Sequence, residues 1–274
     1  MRGQSDVLVV IAHPDDEIFV SGTICLCAES GFRIALACIT DGDGGDRELL
    51  PANFDIRLAE VRRRELELSA TALGIGHVIF LEEPDIPAEI ARVDSWDHEQ
   101  VAGSISRLIE QFQPQLILTH GPRGGYGHPA HRMVNDCVMK AVRRTAFSGS
   151  VFSFCGQVKH AFFSWHFEGP SDVVTDVRAF LRRRSASLAY HQSQTDYFLP
   201  PYFPRSLRKL LSACFGYVFF FKATGRMRVP IATPSRFFRR FPVEGLMLQK
   251  SPEPPCSHFF IEHYQNDPRI KIFR

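Results

Sequence analysis

No stretch of the chain approaches the roughly 18 to 20 consecutive apolar residues of a membrane-spanning helix. The apolar run Leu210–Phe221 (LLSACFGYVFFF) stops at twelve. The N-terminal segment MRGQSDVLVVIAHPDDE has no long apolar stretch ahead of a small-residue cleavage site, so it lacks the mark of a secretory leader. Cysteine is sparse and unpatterned: seven residues, an odd number with no CxxC pair, fit free thiols in a reducing compartment better than a disulfide framework. The expectation is a cytoplasmic protein. Internal repeats and low-complexity segments are also missing, which argues against a repeat architecture. Acid is nearly missing from residues 178–243, where 13 Lys+Arg stand against Asp196 alone, a net of +12. Residues 1–177 run the other way, with 15 Lys+Arg and 25 Asp+Glu, a net of −10. The overall charge of +2 hides this division.

What is present is ample apolar material: 45% hydrophobic and 12% aromatic residues exclude global disorder. Asp6–Ala12 (DVLVVIA) is a continuous β-branched run, as a parallel strand covered on both faces requires. A helix over about Glu17–Ser30 follows, stopped by Gly31. Arg33–Thr40, His77–Leu81 and Gln115–His120 read as further strands. Between them lie a helix over Ile56–Leu73 closed by Gly74, and another over Glu99–Phe112. A helix over Pro129–Arg144 has proline in its first turn. After Ser150 the pattern weakens to strands at Val151–Phe154 and Val158–Trp165 and a helix at Val177–Tyr190. Alternating strands and helices predict a doubly wound, mostly parallel sheet with helices on both faces. Ligands in such folds collect beyond the C-terminal strand ends. His13, Asp41, Asp85 and the loop 121–131 all fall there.

His13 and Asp16, three apart on a tight turn, can meet one metal ion, with Asp15 between them turned elsewhere. A catalytic zinc takes three protein ligands and keeps an open position. The stretch GGYGHPAH, residues 124–131, offers His128 and His131, of which only one need bind metal. Taken alone, HPDDE also reads as a helix start whose acids complement the macrodipole, and HPAH as a capped helix start. Both at strand ends of one sheet favour a metal site.

These motifs resemble those of the zinc-dependent N-acetylglucosaminyl deacetylase family, the PIG-L/LmbE-like proteins. The resemblance rests on Ala12–Glu17 (AHPDDE) and Gly127–His131 (GHPAH), and on TDGDGGD, RRRELELSATALG, FLEEPD and SLAYHQSQ in order, covering about residues 6–194. It implies a Rossmann-like fold over residues 1–194, with 195–274 as an extension packed on that core and shaping the pocket. It further implies Zn²⁺ held by His13, Asp16 and His131, although Fe²⁺ or another divalent ion suits such a ligand set. Asp15 is then the general base, His128 the oxyanion-stabilising group and Tyr126 a donor at the mouth. Asp85 matches a position that contacts substrate hydroxyls, or is a turn residue of EPD; Arg47 and Arg57 read first as solvated surface residues and second as candidates for an anionic substrate group. Arg62 and Glu65 fit an RxxE helix motif, either as plain scaffold or in support of the site loop. His191 and Gln194 fit an H-x-S-Q motif with a structural or rim role. His120 reads as a partner behind the ligands, and Glu17 as support for the helix start.

The implied activity is removal of an N-acyl group, foremost acetyl, from an amino sugar or amino-sugar conjugate. An amidase acting on another N-acyl compound and a non-catalytic sugar- or lipid-binding protein are the rivals. One departure stands out: Ala130 occupies the place of the family's usual aspartate, which would orient His128. For residues 205–241, core packing with solvated arginines competes with a monotopic surface on anionic lipid, suited to a lipid-linked substrate. No nucleic-acid motif is present.

Overall fold

The computed structural model describes residues 5–45, 57–85, 96–157, 168–194, 243–250 and 258–273. Arg47, the strand expected over 158–165 and the basic, aromatic stretch 205–241 lie outside the described residues. Within them one sheet of eight strands forms: β1 (Val7–Ile11), β2 (Ile34–Thr40), β3 (His77–Glu83), β4 (Leu116–Thr119), β5 (Ser150–Ser153), β6 (Val173–Asp176), β7 (Val243–Lys250) and β8 (Ile270–Ile272). Their order is β3-β2-β1-β4-β5-β7-β6-β8. The first five are parallel. β7 runs antiparallel to β5 and β6, and β8 antiparallel to β6. The expected α/β fold with a mostly parallel sheet is present, and the sheet also takes in strands from the C-terminal part.

β1 explains the two layers. All five of its residues are fully buried, and alternate side chains point to opposite faces. Val7, Val9 and Ile11 join a core that includes residues of α1 (Ser21–Glu29) and α2 (Leu58–Leu73). Leu8 and Val10 join the other, beneath α3 (His98–Phe112) and α4 (Pro129–Arg144). Each such side chain stabilises the fold by about 1.5–3 kcal/mol, so the strand ends that carry the site are firmly placed. α5 (Leu181–Tyr190) packs on α2, and α6 (Phe259–Tyr264) adds Phe259 and Phe260 to the first core.

The helix expected over 17–30 is two elements. A 3₁₀ turn, Asp16–Val20, precedes α1. Similarly, a 3₁₀ turn at Arg178–Phe180 precedes α5. α1 has no side-chain cap of its own. Glu244 of β7 supplies it, accepting the Gly22 N–H at 2.8 Å and the Thr23 N–H at 2.7 Å, with the Thr23 hydroxyl at 2.8 Å. A Cβ on Gly22 would lie 2.3 Å from the Val177 side chain and 2.9 Å from Glu244 Oε1, so only glycine permits this approach. Arg184 Nη2 of α5 lies 3.2 Å from Glu244 Oε1, both side chains being 1% exposed.

Removing one partner of a buried ion pair strands the other. Glu244→Ala should therefore lose about 3–5 kcal/mol in equilibrium urea unfolding, and Glu244→Gln less, because its amide oxygen still accepts. A loss below about 1 kcal/mol for Glu244→Ala, a surface-like effect, would rule this cap out as a mainstay of the fold.

Candidate functional site

In the strand order the chain reverses direction of growth at β1, so β1 and β4 flank the switch point where ligands settle in open α/β sheets. His13 leaves β1 and His120 leaves β4 at that point. His131 enters from the first turn of α4, with Pro129 starting that helix.

These side chains converge on the carboxylate of Asp16. The His13 backbone N–H donates to Asp16 Oδ2 at 2.7 Å, and His13 Nδ1 and His120 Nε2 each lie 3.3 Å from the same oxygen. His131 Nε2 is 3.1 Å from Asp16 Oδ1. His128 packs its ring against His13 and His131, with centroids 4.8 and 4.6 Å away. Two sets of donor atoms, His13–His128–His131 and Asp16–His120–His131, each lie within 4.8 Å of one another. This His/Asp cluster is compatible with a divalent metal site. The fit is strongest at His131: its Nε2 is buried and, despite the nearby carboxylate, makes no hydrogen bond among the described residues. A cation between the two would satisfy that orphaned nitrogen. His120 differs, because its Nε2 accepts the Ala12 N–H at 3.1 Å and Asn135 fixes its carbonyl at 2.8 Å. That bond engages its lone pair and gives it a supporting place behind Asp16.

Protonation follows from the crowding. Burial works to raise the Asp16 pKa, but the imidazoles of His131, His120 and His13 outweigh it and hold the carboxyl well below the ordinary range. Burial works to lower that of His13, but Asp16 and Asp85 raise it. His120 is pushed down to about 4 and His128 to about 3, by burial first and then by neighbouring imidazoles.

Asp15 sits apart from this hub. Its backbone is at φ 135° and ψ −15°, a region that side chains rarely adopt. Burial pushes its carboxyl up to about 6, against the pull of Arg62. Arg62 Nη2 lies 3.2 Å from Asp15 Oδ2 and donates to Pro14 O at 2.8 Å, while Nη1 donates to Gly42 O at 2.9 Å. A Cβ on Gly45 would fall 2.6 Å from Arg62 Nη1, which explains glycine in the DGDGG loop. Asp85 joins the same cluster: its Oδ1 is 3.4 Å from His13 Nε2, and its Oδ2 is 3.5 Å from Arg62 and accepts the Gly44 N–H at 3.2 Å.

The remaining expected residues divide. Tyr126 is 58% exposed at the rim, with its ring 5.8 Å from that of His128. Arg57 is largely exposed and lies 3.7 and 3.6 Å from Asp41 and Asp43, where solvent screens the pairing. Arg62 and Glu65 serve different loops: Glu65 accepts the Ser193 N–H at 2.9 Å and its hydroxyl at 2.6 Å. Glu17, expected to support the helix start, stands in the first turn of the 3₁₀ segment and is fully buried, where its Oε1 meets Ser69 and His191. His191 and Gln194 are buried. Ala130 is 3% exposed and packed in the core under α3 and α4, and the buried Nδ1 of His128 has no partner among the described residues. Glu168 was not foreseen: it is buried and accepts the backbone N–H groups of Arg123 and Gly125. Its only sequence signal is an acid before a Gly-Pro turn.

The strain at Asp15 is measurable. Asp15→Gly and Asp15→Asn both remove the charge, but only glycine adopts φ 135° freely. Asp15→Gly should be more stable than Asp15→Asn by about 1 kcal/mol or more in urea unfolding. Equal stabilities would mean that the backbone there is unstrained.

Residues 8–142 match the model of the PIG-L family, described as GlcNAc-PI de-N-acetylase. A 1D-myo-inositol 2-acetamido-2-deoxy-alpha-D-glucopyranoside deacetylase of Acidothermus cellulolyticus is 32% identical, over 69% of this chain and 79% of its own. Deacetylase 2 of the same name from Catenulispora acidiphila is 34% identical, over 52% of this chain and 53% of its own. The chain spans about half the length of several of the curated relatives it matches. Among solved structures, 4-carboxy-2-hydroxymuconate hydratase of Pseudomonas putida has a TM-score of 0.58 at 18% identity, covering 91% of this chain and 97% of its own. N,N'-diacetylchitobiose deacetylase of Pyrococcus horikoshii has a TM-score of 0.54 at 18% identity, covering 89% and 84%. These structures share the fold, and one of them is a hydratase. With its motifs at the strand ends and a relative matched over most of both lengths, this chain belongs to the PIG-L family.

Proposed function

We propose that this chain is a zinc-dependent hydrolase that removes an N-acyl group, foremost acetyl, from an amino sugar or amino-sugar conjugate. The observation that supports the reading is the His/Asp cluster in which His13 and His131 both approach the Asp16 carboxylate and His131 Nε2 is left without a hydrogen bond among the described residues, with a separate carboxylate, Asp15, held by Arg62 beside it. His13, Asp16 and His131 would hold the ion, whose nitrogen and oxygen donors suit Zn²⁺ and also Fe²⁺. Such an ion, when bound, polarises an amide carbonyl and acidifies water.

The chain's own residues supply the rest. Asp15 accepts the proton of the attacking water as its oxygen bonds to the carbonyl carbon. A base whose carboxyl lies near 6 holds that proton better than an ordinary aspartate does, and can hand it on. Arg62 fixes Asp15 in position. His128 and Tyr126, whose ring centroids lie 5.8 Å apart, donate to the oxygen that gains charge. The C–N bond then breaks as the nitrogen takes up the proton held by Asp15 and leaves as the amine, and the acyl group leaves as a carboxylic acid whose remaining proton passes to the amine, giving carboxylate and ammonium. Asp85 faces the hydroxyls of the sugar. The names of the relatives, deacetylases of acetamido sugars, support the acyl group and the amine.

Metal content by elemental analysis and amine release from a panel of N-acetylhexosaminides test this reading. Asp15→Asn should retain the metal and lose about 10²–10⁴-fold in kcat, whereas His131→Ala should lose the metal itself. Full activity in Asp15→Asn would defeat the mechanism. Absence of both metal and amine release in the wild type would favour a binding protein on the same fold.

A further inference from the structure

The turn 121–127 carries Tyr126 and leads into His128, yet little in its own chemistry holds it still. Gly124, Gly125 and Gly127 have φ of 71°, 61° and 97°, a region that only glycine enters freely. Fixing such backbone costs about 1–2 kcal/mol per residue in conformational entropy. The turn's internal bonds, Gly124 N–H to Gly121 O at 2.9 Å and Gly127 N–H to Gly124 O at 3.1 Å, shape it without anchoring it to the sheet. The His128 ring packs on His13 and His131, but its buried Nδ1 has no hydrogen bond among the described residues, and Ala130 offers no polar group.

Glu168 supplies an anchor. Its backbone N–H donates to Cys155 O at 3.0 Å, which ties it to the chain leaving β5. Its carboxylate, in a residue 3% exposed, accepts the Gly125 N–H at 2.8 Å and the Arg123 N–H at 3.2 Å. Hydrogen bonds to a buried carboxylate are roughly twice as strong as neutral ones. A Cβ on Gly121 would land 2.2 Å from the Glu168 carboxyl carbon, so the turn is wrapped around this side chain. Arg132 adds a weaker tie from α4, Nε to Arg123 O at 3.1 Å.

We infer that Glu168 is a positioning residue for amide cleavage: it clamps the glycine-rich turn and thereby sets His128 and Tyr126 against the substrate carbonyl. The inference rests on the function proposed above. It touches neither the metal ligands nor Asp15, and it assigns a catalytic consequence to a residue outside the recognised motifs.

A double-mutant cycle tests it on the full-length, metal-loaded protein. Glu168→Ala should lower kcat about 10- to 100-fold, the scale of a displaced catalytic group, with metal content unchanged. Glu168→Gln, which keeps one acceptor oxygen, should lose less. In a Tyr126→Phe/His128→Ala background the same Glu168→Ala change should cost under threefold, because the groups it positions are gone. Equal losses in both backgrounds would mean a merely structural role and overturn the inference. Amide hydrogen exchange gives a readout independent of turnover: residues 121–128 should exchange at least tenfold faster in Glu168→Ala, or in Gly121→Ala should that variant fold poorly. Unchanged exchange overturns the clamp even if the wild type releases no amine, an outcome that would count against the proposed function instead.

Discussion

Buried negative charge is the constraint around which this site is arranged. Asp15 and Asp16 follow β1 and Asp85 follows β3, and their mutual repulsion in a low-dielectric setting would force them apart or neutralise them. Arg62 answers on one side. Its guanidinium reaches loops that follow β1, β2 and β3 at once, through Pro14, Gly42, Asp15 and Asp85. The imidazoles of His131, His120 and His13 answer on the other, around Asp16. Arginine suits the first task because its planar fork serves several acceptors in fixed directions. The two responses separate the carboxylates chemically, holding the Asp16 carboxyl below the ordinary range while burial raises that of Asp15 to about 6.

Much of this was legible in the sequence, for identifiable reasons. AHPDDE and GYGHPAH are short, so their geometry is set by one turn each, and the strands that present them are continuous apolar runs. The same locality explains the helix at Pro129–Arg144, whose bounds match the pattern. What escaped reading are the carboxylates whose partners are remote. Glu17 meets His191, 174 residues later, and looks in sequence like any acid at a helix start. Glu168 and Glu244 bond largely to backbone N–H groups, which every residue but proline carries, so no residue type at any spacing announces the pairing. Periodicity also cannot distinguish a 3₁₀ turn from the first turn of an α-helix, and both helix starts at Asp16 and Arg178 fell to that ambiguity.

The architecture and the chemistry are separable here. A hydratase and a deacetylase share the fold at comparable TM-scores, so the sheet alone says little about the reaction. The donor set at the switch point narrows the reaction.

The cap on α1 also has a temporal side. Residues up to Glu29 leave the ribosome long before Glu244, which stands 222 positions after the Gly22 amide it serves. Until then the first turn of α1 has bare N–H groups, and the Asp15–Val20 turn is built on an unfinished helix. Parallel pairing among distant strands is slow for the same reason of loop closure. The cap on α1 can therefore close only after β7 has been synthesised and brings its carboxylate to the beginning of the chain.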